Sequence, residues 1–309
     1  MSSVDPIEPA QHPEAHGHDV GLAQDLRLME QLQVGRRRAL LWLGSAGGTA
    51  LLAACGGENG GNAQVSIPST VTPTPTPAPT PSPTPTPTTS GACTVPATET
   101  NGPYPADGTN TASGATSNVL TISGVIRSDI RTSFVGSSTT AATGIPVELT
   151  ITLVDANNDC TPLVGYAVYV WHCDVNGKYS LYDLPSESYL RGVQISDANG
   201  QVKFVTIFPG CYAGRYPHIH FEIFTSSTNA TGGRYARLIS QFAMPAAQCA
   251  LAYATSAYSA SASNYRNISI ANDNVFGDNS SAQMAVMTLV MEGDVSNGFS
   301  ASSTIGIAT

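Results

Sequence analysis

The run Thr72-Pro-Thr-Pro-Thr-Pro-Ala-Pro-Thr-Pro-Ser-Pro-Thr-Pro-Thr-Pro87 sets the strongest limit on what this chain can fold into. Proline fixes φ and removes a backbone donor, so a stretch with proline at every second position forms neither helix nor sheet. Extended polyproline II is the expected state, at about 3.1 Å per residue, or a spacer on the order of 50 Å. From Gly56 to about Gly91 there is almost no apolar content. A packed core is therefore confined to the residues that follow, roughly 215 of them, enough for one well-buried domain. The expected organisation is a leader over 1–55, a disordered Thr/Pro-rich stalk over 56–92 and a folded domain over 93–309.

The leader reads as a targeting segment. Arg36-Arg37-Arg38 precedes a modest apolar stretch, Ala39 to Ala54, too short and Gly-rich for a membrane span. Arg37-Arg38-Ala-Leu-Leu resembles the twin-arginine export pattern. Leu52-Ala53-Ala54-Cys55 resembles a bacterial lipobox, in which the cysteine is lipidated and becomes the new N-terminus. The alternative is a core helix that ends in Cys55, but the flank that follows is not globular. The expectation is an exported periplasmic or cell-surface lipoprotein, held to a membrane through Cys55. Residues 1–55 carry four of the 13 basic and six of the 22 acidic residues, so the remainder stays acidic. With no basic patch, nucleic acid is not an expected partner.

The folded part is rich in Ser, Thr, Ala and Gly and only 11% of the chain is charged, which suits short strands and many turns. Strands are expected near Val119–Ile126, Val147–Val154, Ala167–His172, Val202–Phe208, His218–Phe224, Ala236–Phe242 and Met284–Met291. Turn signals separate them, such as Asn176-Gly177, Asp197-Ala-Asn-Gly200 and Gly232-Gly233. Helix is scarce, with Ala246–Ala254 the best candidate. The fold class this implies is all-β, a β-sandwich of mostly antiparallel strands with long loops.

Six cysteines are present, at 55, 93, 160, 173, 211 and 249. With Cys55 lipidated, five remain and cannot all pair within one chain. Cys93 with Cys160 is the favoured disulfide, because both lie outside the densest motif region.

That region centres on His218-Ile-His220. On a strand, side chains alternate faces, so both imidazoles point one way and can share one metal ion. The same pattern also occurs in packed strands without metal. Beyond residue 18 the only other histidine is His172. No histidine follows His220, which disfavours a cupin-like ligand set. Carboxylates, thiolates and tyrosinates are left as possible partners. A zinc site of His172, His218 and His220 is one alternative, and a non-catalytic surface sandwich is another.

The surrounding residues carry a resemblance. Trp171-His-Cys-Asp-Val-Asn-Gly177-Lys-Tyr179, then Tyr189-Leu-Arg-Gly192, then Pro209-Gly210-Cys-Tyr212-Ala-Gly-Arg215-Tyr-Pro-His218-Ile-His220-Phe resemble the core of the intradiol ring-cleavage dioxygenases, the protocatechuate and catechol dioxygenases among them. Thr98-Glu-Thr-Asn-Gly-Pro-Tyr104 resembles that family's entry motif, and Leu238-Ile-Ser-Gln241-Phe a later segment. The resemblance covers about residues 93–245, in one order. It implies Fe(III) held by Tyr179, Tyr212, His218 and His220, with Tyr212 and His218 axial. It further implies that a catechol displaces Tyr212 and any bound hydroxide, either of which can take a substrate proton, and that O2 opens the ring to a cis,cis-muconate-type diacid. Arg215 matches the family's active-site arginine, positioned to stabilise charge on the ring. Gln241 matches the glutamine that accompanies it, and Tyr104 a residue near the substrate mouth. Cys173 and Cys211 match no fixed role. No helical dimerisation segment of the catechol-dioxygenase type precedes the core, so the layout resembles the protocatechuate-type and exported branches. The oligomeric state and the particular catechol stay open.

Overall fold

The computed structural model describes residues 93–309. The twin-arginine-like segment, the lipobox with Cys55 and the Thr/Pro stalk lie outside the described residues. The described part is built from two sheets, in line with the expected class. The first has five strands: β1 (Pro146–Asp155), β2 (Thr161–Pro162), β5 (Gln201–Ile207), β8 (Val290–Asp294) and β9 (Gly298–Ile307). In it, β1 pairs antiparallel with β2 and β5 on one side and parallel with β9 on the other, and β9 pairs with β8. The second holds β3 (Ala167–Trp171), β4 (Arg191–Ile195), β6 (His218–Phe224) and β7 (Leu238–Ala243), all antiparallel in the order β4-β3-β6-β7.

Side-chain alternation dictates how the sheets bury each other. Val147, Leu149, Ile151 and Leu153 of β1 face the same core as Val202 and Phe204 of β5, Val168 and Val170 of β3, and Ile219, Phe221 and Ile223 of β6. The opposite face of the second sheet is not solvated. Ala167, Tyr169, Trp171, Val193 and Phe224 pack there against Ala106, Val119, Leu120, Tyr179 and Leu181 from long loops. Every residue of β6 is consequently buried. This second, loop-covered face is where His218 and His220 point.

Most expected strands are present, but two are not. Val119–Ile126 is a 3-10 turn over Val119–Thr121, because the Asn118 side chain accepts from Leu120 N and Gly124 takes a positive φ. Residues 281–287 form a helix, because Ser280 and Gln283 make reciprocal cap hydrogen bonds. Only β8 follows where the longer strand was expected. Further helices span Ala246–Tyr253 (α1) and Ser259–Tyr265 (α2), with Ser281–Met287 as α3.

Cys93 and Cys160 form the expected disulfide, with Cα atoms 5.3 Å apart. It closes a separation of 67 residues. In the chain-entropy account that removes about 4 kcal/mol of freedom from the unfolded chain. Cys173, Cys211 and Cys249 are buried thiols.

Candidate metal centre

Strand register brings the first part of the site together. On the loop-covered face, His220 lies opposite Trp171 of β3 and Gln241 of β7. Trp171 stacks on it with ring centroids 4.7 Å apart and planes 6° from parallel. His218 is oriented through its other nitrogen: Nδ1 lies 2.5 Å from the Tyr216 carbonyl oxygen. A proton on Nδ1 leaves Nε2 as the free lone pair, the arrangement a metal-binding imidazole needs.

The two tyrosines arrive on loops locked back to back. In Asp174-Val-Asn-Gly177-Lys-Tyr179, the Asp174 carboxylate accepts from Asn176 N and Lys178 N at 2.9 and 3.0 Å. The Asp174 carbonyl accepts from Gly177 N and from Gly210 N, at 3.0 and 3.1 Å. Gly177 has φ +74°, and a Cβ there would meet Tyr212 Cβ at 3.1 Å. A Cβ at Gly210 would collide with the Asp174 carbonyl. These glycines are needed for close approach of the two loops. Helices α1 and α2 and the 3-10 turn Ser256–Tyr258 between them brace the second loop: Tyr253 and Tyr258 donate to the carbonyls of Pro209 and Phe208, and Ser261 Oγ accepts from Cys211 N.

The four side chains converge. His218 Nε2 lies 3.0 Å from His220 Nε2, 3.2 Å from Tyr212 Oη and 3.4 Å from Tyr179 Oη. Metal–ligand bonds of about 2.1 Å place neighbouring ligand atoms roughly 3.0–3.4 Å apart, so the spacing fits a shared ion. Donor chemistry fits as well. Burial lowers the His218 pKa to about 3 and pushes His220 well below its ordinary value, which keeps both imidazoles neutral. Burial also raises both phenols above 10, with Arg215 acting in the opposite sense. Phenols so raised stay protonated at neutral pH; a highly charged cation at their oxygens would ionise them. Tyr179 is fully buried and Tyr212 half-buried, so of the two tyrosines Tyr212 lies on the solvent side.

His172 does not join them. Its nitrogens are taken by the Cys173 carbonyl at 2.8 Å and Thr206 Oγ1 at 2.7 Å. Among the described residues no group of three or more His, Cys, Asp or Glu is placed to hold a metal. The three-histidine zinc alternative therefore lacks its third ligand.

Arg215 is buried, and three neighbours hold it. Nε donates to Asp273 Oδ2 at 3.0 Å and Nη2 to Gln241 Oε1 at 2.7 Å, while the Phe276 ring centroid lies 5.9 Å from its Cζ. Gln241 in turn donates to the Thr100 carbonyl of the entry motif at 2.9 Å. Gly102 of that motif has φ +69° and sits against His220, where a Cβ would come within 3.2 Å of Cε1. Tyr104 packs on Tyr179 with centroids 4.8 Å apart. Asp273 and Phe276 were invisible to sequence reasoning, because they lie beyond the matched motifs in a polar stretch with no local signal.

The chain is similar to several known proteins. Residues 130–257 match the family model described as Dioxygenase. An intradiol ring-cleavage dioxygenase from Tetranychus urticae is similar at 26% identity, over 60% of this chain and 87% of that one, with a TM-score of 0.48. A further dioxygenase crystal structure is similar at 24% identity, over 70% and 95% of the two chains, with a TM-score of 0.52. Catechol 1,2-dioxygenase from Pseudomonas arvilla C-1 is similar at 17% identity, over 59% and 56%, with a TM-score of 0.38. No curated protein matches the chain.

Proposed function

We propose that the chain is an Fe(III)-dependent intradiol ring-cleavage dioxygenase, a reading supported by the match of residues 130–257 to the family model described as Dioxygenase. In this reading it consumes a catechol and O2 and releases a cis,cis-muconate-type diacid. The observation that carries it is the convergence of Tyr179, Tyr212, His218 and His220 on one point. Two hard phenolate oxygens suit a hard ferric ion better than a softer divalent one.

A ferric ion held by these four residues would supply Lewis acidity to the catechol and make its ring reactive towards O2. The protein does the rest. Tyr212, half-buried on its loop, would hold the ion from the solvent side, and its Oη would accept a catechol proton as general base. Tyr179, His218 and His220 stay fixed, clamped by the Asp174 turn, the Tyr216 carbonyl and the Trp171 ring. Arg215 stabilises negative charge developing on the ring oxygens. Gln241 couples Arg215 to the entry motif, and Tyr104 closes the site from that side.

The leader and stalk extend the reading. Arg37-Arg38 and Leu52–Cys55 support an exported lipoprotein with its domain, residues 93–309, set away from a membrane by residues 56–92. Radiolabelled fatty acid should enter the full chain and not a Cys55→Ala variant.

The central test is spectroscopic. The full-length protein should be red-brown, with one iron per chain and oxygen uptake on a panel of substituted catechols. A colourless, folded preparation carrying stoichiometric zinc would sink the proposal.

A further inference from the structure

The ring-cleavage reading gives Arg215 a task but not a reason to be held rigid, and a second buried charge beside it has no assigned role. Asp273 is buried, on the turn that follows the short 3-10 segment Ile270–Asn272, 58 residues from Arg215 in sequence. Two charges taken out of water are costly unless their geometry is well satisfied. Here it is. Asp273 Oδ2 accepts from Arg215 Nε at 3.0 Å and from Tyr216 N at 2.6 Å. Oδ1 accepts from Val275 N at 2.8 Å and Phe276 N at 3.0 Å, with Arg215 Nη2 further off at 3.5 Å. The carboxylate is thus fixed by backbone N–H groups on both sides of the contact. It is an anchor whose position does not depend on the arginine.

We propose that Asp273 is a positioning residue that aims the Arg215 guanidinium for ring cleavage, a role that rests on the ring-cleavage reading of the site. Asp273 takes Nε, Gln241 takes Nη2, and Phe276 flanks the guanidinium. That leaves Nη1 as the guanidinium nitrogen not engaged by Asp273 or Gln241, and the donor assigned here to charge on the substrate. The turn that carries Asp273 also places Phe276 near His218, with ring centroids 6.5 Å apart, and ties to the entry motif through Asn279, whose Nδ2 donates to Glu99 Oε1 at 3.0 Å. One loop therefore sets the arginine, touches a metal-side histidine and holds the entry segment.

The test uses the full-length, iron-loaded protein with catechol as the probe. Asp273→Asn keeps the size and one acceptor oxygen, enough for the Val275 and Phe276 N–H groups, but removes the charge and turns an amide NH2 towards Arg215 Nε and Tyr216 N. It should lower kcat by about 10- to 100-fold, with a smaller change in KM and an unchanged visible band. In an Arg215→Ala background the same change should lower kcat by less than about threefold, since a residue acting through Arg215 has nothing left to act on. An independent readout comes from the side-chain Nε–H resonance of Arg215 in nitrogen-15 spectra of the protein without iron. Asp273→Asn should move it upfield and speed its exchange with solvent. If Arg215→Ala lowers kcat but Asp273→Asn leaves kcat and the resonance unchanged, the positioning role is wrong and the ring-cleavage reading stands. If the two changes lower kcat independently and multiply, Asp273 is structural and the inference fails. If Arg215→Ala leaves kcat unchanged, the role given to Arg215 in the reading fails and the inference fails with it.

Discussion

The indole of Trp171 lies face to face with the imidazole of His220, with planes 6° from parallel and centroids 4.7 Å apart. The contact follows from register: the two residues are direct cross-strand partners on β3 and β6. His220 Nδ1 has no hydrogen-bond partner among the described residues. Its ring is therefore held by packing, with Trp171 on one face and Gly102 against its Cε1. Trp171→Leu should loosen the ring and lower iron affinity by about tenfold, in the range expected when support behind a metal ligand is lost. Chelator competition on the full-length protein measures it. Unchanged affinity would show that the sheet backbone alone orients His220.

Gly102→Ala probes the same ring from the other side. An L-residue at φ +69° costs about 1–2 kcal/mol, and its Cβ would press on His220 Cε1. We expect a lower urea midpoint and a shifted visible band in the same variant. A stability loss with an unaltered band would separate the backbone effect from the contact.

His172 is the control. Its two nitrogens are engaged by Cys173 O and Thr206 Oγ1, away from the cluster. His172→Gln should leave the iron content intact while costing about 1–3 kcal/mol of stability from buried groups left unpaired. Loss of metal without loss of stability would restore the three-histidine site.

Much of this was legible in the chain. His218-Ile-His220 reads directly as two imidazoles on one strand face, and β6 has the bounds its pattern predicts. Other elements hid for identifiable reasons. Strand β9 sits centrally in its sheet, but its inward positions include Ala301 and Ser303, so apolar alternation is weak. Strand β4 opens with Arg191, a buried guanidinium that binds Pro105 O and Ser180 O. The helix over 281–287 did announce itself, through Ser280 and Gln283 at capping-box spacing, but the apolar residues after it read as strand. Asp273 had no local signature at all, because its partner Arg215 is distant in sequence.

A pH effect should arise on the same sheet face. Glu222 is fully buried, and burial together with Asp107 raises its pKa well above 4.5. The folded state thus binds a proton that the unfolded chain releases near 4.5. Its contribution to stability is complete below that value and is lost as pH rises towards the folded pKa. Glu222→Gln should flatten the fall in urea midpoint between pH 5 and the folded pKa. An identical pH profile in both proteins would mean that Glu222 is ionised when folded.

The disulfide makes a simpler expectation. Cys93→Ser or Cys160→Ser should each cost up to about 4 kcal/mol, and the double variant no more than either single one. Thermal unfolding without reductant gives the comparison. Additive losses would point to packing rather than the cross-link.

The two tyrosines should separate by role as well as by colour. Tyr179 is fully buried, and its loop is clamped by the Asp174 turn and by Asp183, whose carboxylate accepts from Tyr179 N at 2.9 Å. Tyr212 is half-buried, with exposed Ala213 and Gly214 just after it. On the proposed reading, Tyr179→Phe removes a fixed ligand and should reduce iron per chain as well as alter the visible band. Tyr212→Phe removes, on the same proposed reading, the yielding ligand and the base that would take a catechol proton. It should keep more of its iron, alter the band and lower kcat by about 100-fold or more. Iron content, the visible spectrum and oxygen uptake on the same preparations measure all three effects. A spectrum unchanged in both variants would reject the ligand assignment. Equal loss of iron with equal loss of turnover would keep the ligands but remove the distinction between a fixed and a yielding tyrosine.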